Sequence, residues 1–225
     1  MPCNILNKCY YIYIFVCWIN CIYFHSINIM EEISMKLLVL DGFEDDDTSC
    51  CDKIYECMQD VFTVNNGIKR IRLSRQNIAP CTGCFGCWVK TPGKCFIKDD
   101  SQKIIETIIT SDTIIYFTPV IFGGYSPDLK KILDRTICLV SPFFTKVNRE
   151  MHHKKRYDKY PSLIGIGLME KYNKEQEENF KNLIYRNSLN FHSPFECAEI
   201  ILKDDTEDII KEKLSASLNN IGVNK

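Results

Sequence analysis

The sequence predicts an α/β protein, a doubly wound three-layer sandwich around a five-stranded parallel sheet. From Met35 to the end of the chain, short apolar runs of strand length alternate with longer amphipathic stretches of helix length. The apolar runs are nearly continuous, which is typical of parallel strands buried on both faces. Neither an internal repeat nor a low-complexity linker interrupts the alternation, so residues 35–225 are expected to form one domain.

Five apolar runs are predicted to be the strands. The first and third are the clearest, because each is an almost unbroken apolar run. The second is weaker, since polar and basic residues separate Ile68, Ile71 and Leu73. In chain order the predicted strands cover 36–41, 68–73, 113–122, 163–168 and 197–202.

The helices are predicted from their starting residues and their apolar faces. Thr48 or Ser49 caps the first helix, Asp99 or Asp100 the second, and Ser126 the third, with Pro127 at its first helical position. Apolar side chains at helical spacing mark the buried faces, namely Ile54, Cys57, Met58 and Val61, then Ile104, Ile105, Ile108 and Ile109, then Leu129, Ile132 and Leu133. Two more helices are predicted over 175–189 and 206–218.

Charge and cysteine content narrow the class of function. The chain of 225 residues carries a formal charge of −1, which gives no reason to expect a nucleic-acid partner. Its 13 cysteines are spaced too irregularly for the disulfide framework of a small secreted domain. We therefore expect free thiols in a reducing compartment, the cytoplasm, with a subset of cysteines that holds a ligand.

The first 34 residues differ in character from the rest. Residues 10–24 are almost continuously apolar, but this run is shorter than the roughly 20 residues that span a bilayer, and Asn20 interrupts it. Lys8 before an apolar run suggests a signal peptide, yet no small-residue cleavage site follows. We interpret residues 1–34 as an N-terminal apolar extension, either translated upstream sequence before a functional start at Met35 or a weak membrane anchor. For the domain itself no membrane partner is expected.

Four cysteines in one short segment are hard to explain by packing alone. Cys81, Cys84 and Cys87 follow one another at two-residue intervals, and Cys95 comes after a Pro92-Gly93 turn. A [4Fe-4S] cluster needs four thiolates on a loop that wraps around it, and the intervening glycines permit that wrap. Zinc fits less well, because its sites commonly pair two separated C-x2-C knuckles. A metal-free redox pair such as Cys84 and Cys87 stays open, as do thiols that only pack.

The cysteine segment adjoins the expected ligand site. In a sheet of order 2-1-3-4-5, ligands bind outside the carboxyl ends of the strands, between the first and third strands. The loop after the third strand, residues 119–125, meets the cysteine segment there. Its paired glycines, Gly123-Gly124, allow a close approach of the backbone, although they also suit a simple turn. Phe122 and Tyr125 offer aromatic faces to a flat ring.

Several motifs between Cys81 and Arg135 occur together in one known family. They are Cys81-Thr-Gly-Cys84-Phe-Gly-Cys87-Trp88, Thr91-Pro92-Gly93-Lys94-Cys95 with Asp99-Asp100, the Pro119 loop ending in Tyr125-Ser126-Pro127, and Lys130 to Asp134-Arg135. In this combination the chain resembles the flavodoxin-like NAD(P)H-dependent FMN reductases, and most of all their iron-sulfur flavoprotein branch. The resemblance runs from about Met35 to the chain end and implies a flavodoxin-like fold.

The resemblance also implies a function, that of an FMN-dependent NAD(P)H oxidoreductase, commonly a homodimer whose partner completes the site. Hydride passes from the nicotinamide cofactor to FMN, and a [4Fe-4S] centre relays electrons to a small-molecule or protein acceptor. No side chain is assigned a catalytic role. The implied ring-site residues are Pro119, Val120, Ile121, Phe122, Gly123, Gly124 and Tyr125, and the implied metal ligands are Cys81, Cys84, Cys87 and Cys95. The alternatives are a non-enzymatic redox carrier or sensor on the same fold, and a degenerate member that lacks cofactors.

The loop after the first strand is expected to meet the FMN phosphate through Gly42, Thr48 and Ser49, since a helix N-terminus favours an anion. It departs from the family pattern because residues 44–47 are all acidic. At roughly 6 Å, each carboxylate opposes a unit of phosphate charge by about 3 kcal/mol at an effective dielectric near 20. Either FMN is held mainly through its ring and the two hydroxyls, or it binds weakly while the carboxylates cap the helix.

A basic segment, residues 148–157, precedes the fourth predicted strand and contains His152-His153 and Lys154-Lys155-Arg156. Its five basic groups would repel a metal cation, so we predict a solvated loop. The alternative is that this cationic, aromatic-flanked segment receives a nicotinamide phosphate or the flavin of a dimer partner.

Overall fold

The fold is described from a computed structural model over residues 35–44, 48–62 and 67–222. The N-terminal extension, residues 1–34, and the acidic positions Asp45, Asp46 and Asp47 lie outside these residues, so the interpretations that concern them stay predictions. The prediction that 35–225 form one domain also stays a prediction.

A parallel sheet forms the centre of the described fold. The described strands are β1 (Lys36–Asp41), β2 (Gly67–Arg72), β3 (Thr113–Pro119), β4 (Val140–Val147), β5 (Glu150–Lys155), β6 (Ser162–Met169) and β7 (Glu196–Leu202). Five of them pair in parallel in the order β2-β1-β3-β6-β7. Since β6 and β7 are the fourth and fifth predicted strands, the predicted fold class and strand order 2-1-3-4-5 are confirmed.

Helices flank both faces of the sheet. The described helices are α1 (Thr48–Phe62), α2 (Gly86–Val89), α3 (Ser101–Thr110), α4 (Pro127–Arg135), α5 (Lys174–Phe191) and α6 (Glu207–Gly222). Ser126 caps α4 as predicted, because its hydroxyl accepts a hydrogen bond from the backbone N–H of Leu129 at 3.3 Å. Asp100 occupies the cap position of α3 without a side-chain cap bond, whereas Asp99 accepts from the N–H of Ser101. Among the described residues, no helix combines the length and apolar character needed to cross a bilayer.

Two apolar layers follow from the alternation of side chains along the strands. Leu37, Val39, Ile115 and Phe117 pack with residues of α1 and α6, such as Ile54, Met58 and Leu214. The opposite face carries Leu38, Leu40, Ile114 and Tyr116, which pack with residues of α3, α4 and α5, such as Ile104, Leu129 and Phe180. The predicted inner faces of the first three helices therefore point into these layers, with Val61, Ile109 and Leu133 at their margins.

The basic segment is not the predicted solvated loop. Strands β4 and β5 form an antiparallel hairpin outside the main sheet, and Asn148 and Arg149 make its turn with φ angles of 49° and 69°. His152 is only 5 % exposed, and its ring nitrogens contact Asn190 of α5 at 2.9 Å and Glu150 at 3.1 Å. The prediction was wrong because the buried position of β5 is occupied by a histidine that bonds to a helix. An apolar residue at this position would have indicated a strand.

Some of the basic side chains of residues 148–157 also make contacts within the fold. Arg156 donates from Nε to the carbonyl of Cys138 at 3.1 Å and from Nη2 to that of Val140 at 3.3 Å. Lys155 lies over the ring of Tyr160, whereas Lys154 is exposed. Lys154 and Lys155 present charges that a bound phosphate could reach, as does the exposed Arg149 of the turn.

Candidate functional site

A cavity of about 830 Å³ opens between the cysteine segment, α4, the hairpin and α5. All four predicted ligands, Cys81, Cys84, Cys87 and Cys95, line it. Facing residues come from β3 and its loop, from α4, from the hairpin and from α5, and include Tyr116, Gly124, Tyr125, Lys130, His153 and Asn187. The fold thus brings the four thiols to the wall of one space.

Backbone reversals shape the cysteine segment. Gly83 and Phe85 adopt left-handed φ angles of 64° and 55°, and the short helix α2 begins immediately afterwards. The indole of Trp88 anchors this helix, because its Nε1 donates to the carbonyls of Ile137 at 3.2 Å and Val140 at 3.0 Å. The segment is therefore tied to the C-terminal side of α4 and wraps back on itself, as a cluster-binding loop requires.

The thiols of the segment differ in their environments. Cys84 is exposed, and hydrogen bonds from the backbone N–H of Gly86 and the Thr82 side chain lower its pKa. Cys87 is buried, and burial followed by the proximity of Cys95 raises its pKa. Of these two thiols, Cys84 is therefore the more ready to ionise and bind a metal.

A fifth thiol, Cys138, lies beside this group and was not predicted. It is fully buried, and burial, with smaller effects of Cys87 and Cys95, raises its pKa to about 12. The sequence Thr-Ile-Cys-Leu around it reads as ordinary core, so no local signal distinguishes it. It packs in the same apolar cluster as Cys87.

The donor set of the cavity wall consists of four thiols on one segment. Over the described ranges, no group of three or more His, Cys, Asp or Glu side chains is spaced to hold one metal ion. A [4Fe-4S] cluster takes ligation by four cysteines. Four thiols around one large cavity, on a loop with two left-handed residues, match that requirement.

The loop after β3 makes a tight turn beside the cavity. Ile121 and Gly124 exchange backbone hydrogen bonds of 3.1 and 2.8 Å across Phe122 and Gly123, which have φ angles of 50° and 79°. A Cβ on Gly123 would stand 2.7 Å from Cβ of Asn179, so both the turn and the close approach of α5 require glycine. Phe122 is held 93 % exposed at the tip of this turn.

The predicted ring-site residues divide into two groups. Gly124 and Tyr125 line the cavity, and the Tyr125 hydroxyl accepts a hydrogen bond of 2.7 Å from Asn187. The remaining members of the predicted set, Pro119, Val120, Ile121, Phe122 and Gly123, continue the same loop but are not among the residues that line this space. Tyr125 therefore shares the cavity wall with the cysteines.

The loop after β1 abuts the loop after β3. A Cβ on Gly42 would come within 2.4 Å of Oγ of Ser126, and Phe43 is buried against Phe117 with ring centroids 4.6 Å apart. Thr48 is the first residue of α1 and Ser49 is exposed in its first turn. Gly42 and Ser49 do not line the large cavity, so this part of the predicted phosphate site lies apart from the cysteines.

Cations near that loop are engaged by carboxylates. Arg70 donates to Asp41 at 2.8 Å and to Asp52 at 2.7 Å, and Arg72 pairs with the same two aspartates. Asp41 is only 1 % exposed. The arginines of β2 thus balance the buried Asp41 at the end of β1 and the partly exposed Asp52 of α1, while Glu44 remains exposed.

A doubly wound parallel sheet of order 2-1-3-4-5, with loops that meet at its switch point, defines a flavodoxin-like α/β protein. The model of the NADPH-dependent FMN reductase family matches residues 35–157, more than half of the chain. The chain belongs to this family, which confirms the resemblance drawn from the motifs.

Curated relatives carry the name iron-sulfur flavoprotein. One from Methanocaldococcus jannaschii is 42 % identical over 66 residues, which are 29 % of this chain and 33 % of the relative. One from Methanosarcina thermophila is 34 % identical over 77 residues, 34 % of this chain and 39 % of the relative. The matches therefore span about a third of the length of these relatives.

Solved structures share the fold. An NAD(P)H:quinone oxidoreductase from Methanothermobacter marburgensis superposes with a TM-score of 0.62 at 11 % identity, over 84 % of this chain and 98 % of that chain. An azoreductase from Bacillus anthracis gives 0.55 at 12 % identity, over 83 % and 98 %. At such low identity these likenesses concern the fold alone.

Proposed function

We propose that this protein is an FMN-dependent NAD(P)H oxidoreductase whose Cys81, Cys84, Cys87 and Cys95 hold a [4Fe-4S] cluster. The observation that carries the proposal is that all four thiols and Tyr125 of the aromatic loop line the same cavity. When bound, FMN supplies hydride acceptance from a nicotinamide and the cluster supplies one-electron transfer. Electron transfer between the flavin and the cluster requires that the two lie close together, which a shared cavity supports.

The chain's own residues have defined tasks in this proposal. Phe122 and Tyr125 hold the flat flavin ring, and Gly123 and Gly124 let the backbone approach it. Gly42, Thr48 and Ser49 meet the phosphate at the N-terminus of α1. Trp88 keeps the cysteine segment closed over the cavity through its two carbonyl bonds.

We also propose a homodimer in which the partner covers the apolar surface around the site. Large apolar side chains on the cysteine segment and the hairpin are more than half exposed: Phe85, Phe96, Phe143, Phe144 and Met151. A two-stranded hairpin is marginally stable in water by itself, so cover by a second copy would stabilise it. We propose a cytoplasmic location, because the cysteines of the described residues are all free thiols.

A second candidate function is a redox carrier or sensor without nicotinamide turnover. The acidic residues 44–47 at the phosphate loop favour it, since they oppose a phosphate. The cysteines and cavity would serve either function.

Anaerobic purification of the full chain, followed by absorption spectroscopy and assays of iron, sulfide and flavin, tests the proposal. We expect about four iron atoms per chain, together with bound FMN and steady NADPH oxidation when FMN or a quinone is added. Iron without nicotinamide oxidation would favour the carrier. A colourless protein that takes up neither cofactor on reconstitution would contradict both functions.

Phe122→Ala should weaken FMN binding without destabilising the domain. An aromatic stacking contact contributes about 0.5–1.5 kcal/mol, so the FMN dissociation constant should rise by about two- to tenfold. Because Phe122 is 93 % exposed, the urea midpoint should stay at the wild-type value. Flavin fluorescence titration measures the constant, and Ile209→Ala, an exposed apolar residue of α6, is the control. Equal affinities in all three proteins would remove Phe122 from the ring site.

A further inference from the structure

Arg135, the last residue of α4, is a buried guanidinium bonded to the fourth cysteine. Its side chain is 0 % exposed. Nε donates to Sγ of Cys95 at 3.1 Å, Nη1 to the Ala79 carbonyl at 2.7 Å and Asp99 at 3.0 Å, and Nη2 to Asp99 at 3.2 Å and the Ile97 carbonyl at 3.3 Å. A guanidinium has five N–H groups, and each therefore has an acceptor.

The orientation of this guanidinium is fixed from two sides. Asp99 faces Arg135 with both oxygens and is itself held by the backbone N–H groups of Ala79 and Ser101, each at 3.0 Å. With Nη1 and Nη2 engaged in this way, the planar geometry of arginine aims Nε at the sulfur. The Nε–H···Sγ bond to Cys95 therefore follows from the fixed position of the buried Arg135–Asp99 pair.

Cys95 is also fixed through its backbone. The side-chain amide of Gln102 in α3 donates to the Cys95 carbonyl at 2.9 Å. Thr91 closes the turn before it, because its hydroxyl donates to the carbonyl of Lys94 at 2.8 Å. The cysteine that is distant in sequence from the other three is therefore held by contacts to α3 and α4 as well as by the turn that precedes it.

We propose that Arg135 is a positioning residue for Cys95, which holds this sulfur at the cavity wall and, through its N–H···S bond, raises the reduction potential of the cluster. The inference rests on the proposed function, since it concerns the ligand role of Cys95. Reduction adds negative charge to a cluster, and a hydrogen bond to a ligand sulfur stabilises the more negative form. Loss of this bond therefore lowers the potential.

Arg135→Lys is the informative variant, because lysine keeps the charge but lacks the fork that aims Nε at sulfur. Lys131→Gln is the matched control, since it removes a charge from the same helix at a residue that lies outside the cavity lining and pairs with Asp128 at 2.8 Å. The first arm uses the reduced, iron-free full chain and iodoacetamide, with labelling of each cysteine followed by mass spectrometry.

In the iron-free chain, Arg135→Lys should label Cys95 about tenfold faster than wild type, a change of about 1.4 kcal/mol in the opening equilibrium. Cys81, which is exposed already, serves as internal reference and should label at an unchanged rate. Lys131→Gln should match wild type at both positions. A Cys95 rate in Arg135→Lys equal to wild type overturns the positioning role, whether or not iron binds.

The second arm measures the midpoint potential of the reconstituted cluster by redox titration, with iron content determined in parallel. Arg135→Lys should have a lower potential than wild type at equal iron content, and Lys131→Gln an unchanged one. An unchanged or higher potential in Arg135→Lys overturns the inference while leaving the cluster in place. Wild-type protein that takes up no iron overturns the ligand role of all four cysteines, which is a failure of the proposed function and is recognised before any variant is compared.

Discussion

Replacing Cys84 with serine is expected to abolish cluster uptake and leave the fold intact. The Cys84 thiol is exposed, so the smaller hydroxyl removes no packing. It is also the thiol whose pKa is lowered by the Gly86 N–H and the Thr82 side chain, and a serine hydroxyl is a poor substitute for a soft thiolate ligand. Changes around ligands cost about 10–100-fold in metal affinity, so loss of a ligand itself should weaken cluster binding at least that much and leave little or no iron after reconstitution.

Cys57→Ser is the control, and the opposite result is expected for it: a lower stability with an unchanged iron content. Cys57 is 2 % exposed in the layer between the sheet and α1, on the face away from the cavity. A hydroxyl buried there without a partner should lower the free energy of unfolding by about 1–3 kcal/mol, with iron content unchanged. Iron and sulfide assays after anaerobic reconstitution, with urea denaturation of the same samples, measure both effects. If Cys84→Ser kept its iron, the ligand role would pass to another thiol, with Cys138 the nearest unassigned candidate.

The main sheet could be predicted because each central strand is buried on both faces and therefore consists of a nearly continuous run of apolar residues. Residues 113–119 and 162–169 are examples, since nearly every side chain there is buried. The hairpin β4–β5 could not be predicted on this basis. Its inward residue His152 is satisfied by Asn190, a contact across 38 positions that no local pattern contains.

The candidate site was predictable where its residues are close in sequence. The spacing of Cys81, Cys84 and Cys87 already indicates convergence, and the segment's backbone reversals allow it. The bond between Arg135 and Cys95 joins residues 40 positions apart and depends on how α4 docks against the cysteine segment. The sequence was therefore enough to identify the thiols as candidate ligands. Arg135, the residue that holds Cys95, could be identified only from the fold.

Asp99→Ala is expected to lower the free energy of unfolding by about 3–5 kcal/mol, because it leaves the buried guanidinium of Arg135 without its counter-charge. The Asp99 side chain is 4 % exposed, and the pair is 3.0 Å apart. Asp134→Ala breaks an exposed pair with Lys130 on the same helix and should cost about 1 kcal/mol or less. Urea denaturation of both variants measures the difference, and equal small losses would show that water reaches the Arg135 pair.

The pH dependence of this loss identifies its cause. Burial acts to raise the pKa of Asp99, but hydrogen bonds from Ser101, the Ala79 N–H and Arg135 outweigh it and lower the pKa. A carboxyl with a lowered folded pKa stabilises the protein fully above its unfolded value, about 3.9, and loses that contribution as pH falls through the folded value. The difference between wild type and Asp99→Ala should therefore be constant near neutral pH and shrink below about pH 3.9. A difference that persists undiminished in acid would mean that the variant loses packing rather than charge pairing, because protonated Asp99 can no longer compensate Arg135.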